Sequence, residues 1–89
     1  MDGLLPYFLG EKWELKYGRE GDREWWESWR GKKGIVIQRW RKGEGYGRYW
    51  GVFLIRGKTV RTSEEVFKDL LSAVRFLKNL GLEVEMKEV

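Results

Sequence analysis

The stretch that most constrains the fold runs from Lys33 to Arg61, because it holds two β-branched and aromatic runs that are apolar on both faces. Lys33-Gly34-Ile35-Val36-Ile37-Gln38-Arg39-Trp40 and Tyr49-Trp50-Gly51-Val52-Phe53-Leu54-Ile55-Arg56 flank the glycine-rich Lys42-Gly43-Glu44-Gly45-Tyr46-Gly47, the pattern of a β-hairpin. With Glu44-Gly45 as a two-residue turn, Arg39 lies opposite Trp50, Ile37 opposite Val52 and Ile35 opposite Leu54, an aliphatic face suited to a core. The other face carries Trp40 opposite Tyr49, Gln38 opposite Gly51 and Val36 opposite Phe53. That is an aromatic platform with a glycine gap, edged by Arg41 and Arg48. A single helix can cover only one of these faces.

Charge concentrates on the same stretch. Residues 1–29 hold four basic and seven acidic side chains, and residues 62–89 hold four and six; residues 30–61 hold ten basic side chains against Glu44 alone. At 89 residues the chain reads as one domain with a thin core, which oligomerisation would reinforce. Cysteine and histidine are both absent, which excludes disulfides, zinc fingers, thiol nucleophiles and imidazole bases. No apolar run approaches the roughly 20 residues of a membrane span, and Met1 to Gly10 lacks the basic start of a signal peptide, so a cytoplasmic protein is expected. Charged residues make up 36% of the chain, with one Asn and one Gln, a balance found in hyperthermophile proteins.

Before the hairpin, Met1 to Gly10 is short and apolar, fit for a sheet edge or a subunit boundary. Trp13, Leu15 and Tyr17 alternate with Glu14 and Lys16 as in a half-buried strand, and Gly18-Arg19-Glu20-Gly21-Asp22 reads as a turn. Arg23 to Arg30 fits a strand, with Trp25, Glu27 and Trp29 on one face and Trp26 on the other, or a short helix capped by Asp22 and stopped by Gly31. The strand is favoured because it completes a meander. After the hairpin, Lys58-Thr59-Val60-Arg61 continues the last strand or forms a fifth. Thr62-Ser63-Glu64-Glu65 matches a capping box, predicting a helix from Ser63 to Leu80 with Val66, Leu70, Ala73, Val74, Leu77 and Leu80, widened by Phe67 and Leu71, as its apolar stripe. Phe76 falls outside that stripe. Gly81 suits the left-handed position after the helix, with Leu82 contacting Leu77. Leu82, Val84 and Met86 alternate with charges as a final edge strand.

For catalysis only carboxylates, lysines and a few hydroxyls remain. Glu64, Glu65 and Asp69 group in the expected first turns of the helix, where its dipole favours negative charge, so no enzyme activity is expected. No cofactor, metal or small-molecule substrate is expected either. The glycine-rich turn lacks the Gly-Lys-Ser/Thr ending of a phosphate-binding loop. Aromatic and basic residues together point elsewhere. Bases stack on aromatic rings whatever their sequence, and cations around such rings neutralise phosphates. Trp25, Trp29, Lys33, Gln38, Trp40, Arg41, Lys42, Arg48 and Tyr49 are the candidate nucleic-acid-binding residues.

The order of a basic aromatic hairpin, then Gly57-Lys58-Thr59-Val60-Arg61-Thr62-Ser63-Glu64-Glu65-Val66-Phe67 leading into an amphipathic helix, resembles single-stranded-DNA-binding coactivators of the positive-cofactor-four and Whirly type. It is also similar to the ThermoDBP-type single-strand binders of hyperthermophilic archaea. The likeness covers about residues 33 to 80. It implies a curved antiparallel sheet that presents basic and aromatic side chains to the strand, with helices supporting dimerisation. The strand after Leu82 and the tryptophan-rich Trp25 to Trp29 depart from the coactivator pattern. The expected protein is thus an α+β domain: an antiparallel sheet of four or five strands, one long helix on its aliphatic face and a short final strand. Its expected role is sequence-tolerant binding of single-stranded DNA, or less so RNA, by a homodimer. The rival reading is a protein-interaction module whose aromatic face is an oligomer interface.

Overall fold

A computed structural model describes residues 3–41 and 48–87. Six strands, β1 (Lys12–Glu20), β2 (Arg23–Arg30), β3 (Lys33–Trp40), β4 (Gly51–Arg56), β5 (Thr59–Thr62) and β6 (Glu83–Lys87), form one sheet in the order β5-β4-β3-β2-β1-β6. The first five pair antiparallel as a meander, and β6 joins β1 in parallel. The fold is therefore α+β with a mixed six-stranded sheet, which corrects the expected four- or five-stranded antiparallel one. Connectivity gives the reason. After β5 the chain returns through a helix, so its next strand points the same way as β5 and β1, and a crossover of this kind yields parallel pairing.

The strands are set by the alternation of their side chains and by their turns. Gly21, Gly31 and Gly57 each open a two-residue turn with φ between 59° and 61°, the left-handed first position that a type II′ hairpin turn demands. The first turn is thus only Gly21-Asp22, because β1 continues through Gly18, Arg19 and Glu20 where a turn was expected. Residues 23–30 are a strand, as favoured. The β3–β4 register is the one read from the sequence: Ile35 faces Leu54, Val36 faces Phe53, Ile37 faces Val52 and Gln38 faces Gly51. The Glu44-Gly45 turn itself lies outside the described residues.

The helix, α1 (Leu70–Asn79), is ten residues long and starts seven residues later than the capping box predicts. Thr62 instead pairs with Phe53 at the end of β5, and Phe67 bridges Trp50. Between these two pairs the inner chain advances three residues and the outer chain five; the Ser63 amide still donates to the Val52 carbonyl at 3.0 Å, and residues 64–66 bulge out of the ladder. The true cap is Asp69, whose carboxylate accepts from the Ser72 amide at 2.7 Å. Sheet pairing by Thr62 and Phe67 satisfies more backbone than an exposed extra helical turn, and the Asp69 cap then sets the start. The far end matches the sequence reading: Gly81 has φ of 96°, its amide donates to Lys78 and the Leu82 amide donates to Leu77, a Schellman motif.

Helix α1 buries Ala73, Val74 and Leu77 against Ile35, Ile37, Val52 and Leu54. A short 3-10 turn at Leu5–Tyr7 sets Leu4 and Phe8 into the same core, where the Phe8 carbonyl accepts from Trp13 Nε1 at 2.9 Å. Phe76, placed by the sequence on the polar side of the helix, packs its ring 5.3 Å from Phe67. Phe76 and, from the N-terminal segment, Leu4 and Phe8 are thereby packed within the chain, while Tyr7 and Leu9 stay exposed. No helix among the described residues is long and apolar enough to cross a membrane.

Candidate nucleic-acid interface

Strand alternation sorts the sheet into two faces, of which α1 and the N-terminal turn cover one. Among the described residues nothing covers the other. Its floor carries Trp25, Glu27 and Trp29 of β2, Val36, Gln38 and Trp40 of β3, and Gly51, Phe53 and Ile55 of β4. Trp29 and Trp40 are about half exposed, at 46% and 50%.

The tryptophans are seated by glycines. Trp25 pairs across the strands with Gly18, and Trp29 with Gly34. A Cβ on Gly18 would lie 2.5 Å from the Trp25 ring, and one on Gly34 would lie 2.3 Å from the Trp29 ring. Each indole thus lies against bare backbone that no other residue type would leave free. The Arg23 guanidinium sits 4.4 Å from the Trp25 ring centre and holds the Gln38 amide oxygen through Nε and Nη2, at 2.8 and 2.5 Å. Trp29 donates from Nε1 to Glu27. Trp25 therefore supports Arg23, while Trp29 and Trp40 are the open stacking surfaces. A broad groove of about 780 Å³ runs over β1 between Trp25 and Trp29, beside Lys12, Glu14 and Lys16.

The basic block does not lie on this platform. Period-two alternation turns Lys33, Arg39 and Arg56 with Ile35, Ile37 and Leu54 toward the helix side. Lys33, a candidate binding residue, donates instead to the Tyr7 carbonyl and Glu11. Arg56 stacks on Tyr7 at 3.8 Å, and Arg39 lies over Trp50 while it pairs with Glu24. The remaining cations collect at the strand ends. At one end Lys32 and Lys58 stand on two adjacent turns, joined by a bond from the Gly57 amide to the Lys32 carbonyl at 3.0 Å, while Arg30, the last residue of β2, donates to the Lys12 carbonyl and lies over the Trp13 ring. Among the described residues Lys32 and Lys58 have no acidic partner. At the other end Arg41 and Arg48 are exposed; the Arg41 amide donates to the Asp22 carbonyl, and the Arg41 charge reaches Tyr17 and Glu24 on the helix side. The β1–β6 wing is mixed in charge, with Lys12 paired to Glu85 and Lys87 to Glu14.

Of the sequence candidates, Trp25, Trp29, Gln38 and Trp40 share the open face, Arg48 is exposed at the end of the sheet, Arg41 follows Trp40 to the helix side near Tyr17 and Glu24, and Lys42 lies outside the described residues. Tyr49 is half-buried at a small hollow with Gln38, Trp40, Gly51, Phe53 and Val66. Sequence reasoning placed Phe53 on this face, opposite Val36, and missed Arg23, Val66 and the seating glycines. The turn dipeptides Gly21-Asp22 and Gly31-Lys32 would have given both Trp–Gly pairs by counting outward from each turn.

On the helix side one polar cluster is built into the sheet. Glu24, 7% exposed, accepts from the Tyr17 hydroxyl at 2.6 Å and from Arg39. Burial pushes its carboxyl up, but the hydrogen bonds from Tyr17 and Arg39 outweigh this and hold it below the ordinary carboxylate range. The bond to that carboxylate raises the Tyr17 hydroxyl.

Fold and site together define an α+β protein with a half-covered mixed sheet, its open face aromatic and its strand ends basic. No protein-family model matches the sequence, and comparison with curated proteins and with solved structures found no similar chain.

Proposed function

We propose that the open sheet face binds single-stranded nucleic acid, DNA ahead of RNA, with little regard to sequence. The observation that carries this reading is the sheet face that no described residue covers, on which Trp29 and Trp40 expose about half of their surface. Unpaired bases offer free π faces to such rings, whereas bases in a duplex are already stacked. The track runs over β2, β3 and β4, since the acidic side chains of β1 and β6 repel phosphates. Bases stack on Trp29 and Trp40; Arg48 at one end and Lys32 and Lys58 at the other contact the phosphates. The likeness to single-strand-binding coactivators points the same way.

Titration of the protein with a thymidine 12-mer at low salt, followed by tryptophan fluorescence, tests the reading. Quenching and release by salt are expected. Trp29→Ala or Trp40→Ala should weaken binding by about 1–3 kcal/mol with the salt slope nearly unchanged. Lys32→Ala with Lys58→Ala should lower that slope by up to roughly 0.7 for each phosphate that is no longer neutralised. Absence of binding to DNA and RNA strands alike would sink the proposal. A second reading, self-association through this face, is favoured by its β4–β5 part, where Phe53, Ile55 and Val60 form an apolar area without a cation. Light scattering at micromolar concentration separates the two: a dimer that dissociates when Val60→Lys is introduced supports the second.

A further inference from the structure

We infer that the hollow between Trp40 and Phe53 is a pocket for one pyrimidine base, so that the open face prefers pyrimidine-containing strands. This inference rests on the nucleic-acid reading above and gives it a recognition element. Three features converge on it. The first is size: the hollow holds about 160 Å³, and a cavity of about 150 Å³ accommodates a single benzene ring. One six-membered ring fills the hollow, and the fused second ring of a purine would stand out through its open side.

The second is the lining. Trp40, Tyr49 and Phe53 give aromatic walls, and Gly51 leaves the floor without a side chain. Gly51 is not there for its backbone angle, since it is absent from the positive-φ glycines. A Cβ at this position would stand 3.2 Å from the Phe53 ring and occupy the floor.

The third is the polar group at its edge. Gln38 lines the hollow, and its amide oxygen accepts both bonds from Arg23. A guanidinium only donates, so the atom it holds must be the oxygen. The Nε2 hydrogens are what Gln38 can offer a ligand. A donor beside an aromatic slot matches the O2 carbonyl that cytosine, thymine and uracil share. Arg23 is itself steadied on Trp25, so the donor is preorganised before a strand arrives.

The sequence makes the test direct. Gln38 and Asn79 carry the only carboxamide side chains of the chain, so their amide proton pairs are two distinguishable signals in a nitrogen-15 correlation spectrum. Titration with thymidine and deoxycytidine monophosphates should move the Gln38 pair and leave the Asn79 pair in place. Deoxyadenosine monophosphate should bind roughly two- to tenfold more weakly, the worth of one hydrogen bond, and leave the Gln38 signal unmoved. Gly51→Ala should abolish the difference between the nucleotides. Gln38→Glu keeps a partner for Arg23 but turns an acceptor toward O2, and should have the same effect. The Gly51→Ala variant should still bind a thymidine 12-mer through Trp29 and the turn lysines. Equal shifts with all three nucleotides, or a preference that survives both substitutions while the 12-mer binds, would overturn the pocket and spare the nucleic-acid reading. Failure of every strand and nucleotide to bind would overturn both.

Discussion

The glycine seat under Trp29 makes a prediction whose sign is diagnostic. In a strand interior, replacing Gly by Ala ordinarily stabilises by about 0.5–1 kcal/mol, because glycine loses more backbone freedom on folding. At Gly34 the new methyl would meet the Trp29 ring at 2.3 Å, so the indole must lift from the sheet. Burial by a tryptophan amounts to about 150–250 Å²; losing one ring face, roughly a third of it, exposes about 50–80 Å². At about 25 cal/mol per Å² this costs roughly 1.3–2 kcal/mol. Net destabilisation of about 0.3–1.5 kcal/mol follows, or a fall in thermal midpoint of roughly 1–12 °C for a domain of this size. The assay is thermal unfolding by circular dichroism, read with the tryptophan emission maximum, which should move to longer wavelength. In a Trp29→Ala background the same Gly34→Ala change should become neutral or stabilising, and the double-mutant cycle isolates the ring–backbone contact. A more stable Gly34→Ala single variant with unshifted emission would refute the seat.

Asp69→Ala should cost about 0.5–2 kcal/mol in chemical denaturation through loss of the helix cap, whereas Thr62→Ala should stay within about 0.5 kcal/mol. Gly81→Val should lower the thermal midpoint, because a β-branched residue resists a φ of 96°. The carboxyl of Glu24 is lowered in the folded state, so its contribution is present above the unfolded value near 4.5 and is lost as pH falls through the lower folded value. Urea midpoints measured from pH 6 downward should therefore drop less steeply in Glu24→Gln than in the parent. Tyr17 is raised, so its contribution is present below the unfolded value of 10.0 and is lost as pH rises past it; Tyr17→Phe should flatten that alkaline loss.

Much of the sheet was legible in the sequence because strand side chains alternate and hairpin turns fix register locally. The β3–β4 pairs from Ile35–Leu54 to Gln38–Gly51 follow from counting outward from one glycine-rich turn. The placement of Trp25 and Trp29 on a common face follows from period two alone. The helix start was not legible, because Thr62-Ser63-Glu64-Glu65 satisfies the local rule for a cap while Trp50 claims Phe67 from across the sheet. Tertiary pairing won over local propensity there. The parallel partner of β1 was hidden for a related reason: alternation in Leu82 to Lys87 predicts a strand but says nothing about which edge receives it. At the candidate site, counting basic residues along the chain merged two populations that the pleat separates. Lys33, Arg39 and Arg56 went to the helix side, and the turns kept Lys32 and Lys58 for the rim.

The parallel pairing of β6 with β1 also sets the order in which the molecule can be built. Lys12 pairs with Glu83, 71 positions further on, so the outer edge of β1 stays unsatisfied until nearly all of the described chain has been made. The hairpins β1–β2, β2–β3 and β3–β4 close over short loops and can form within microseconds. Joining β6 to β1 closes the longest loop in the sheet, and such non-local closure is what slows folding. Until that step the outer edge of β1 is an open template for a neighbouring chain. Lys12, Glu14 and Lys16, charged along its uncovered face, are placed where they keep that waiting edge soluble.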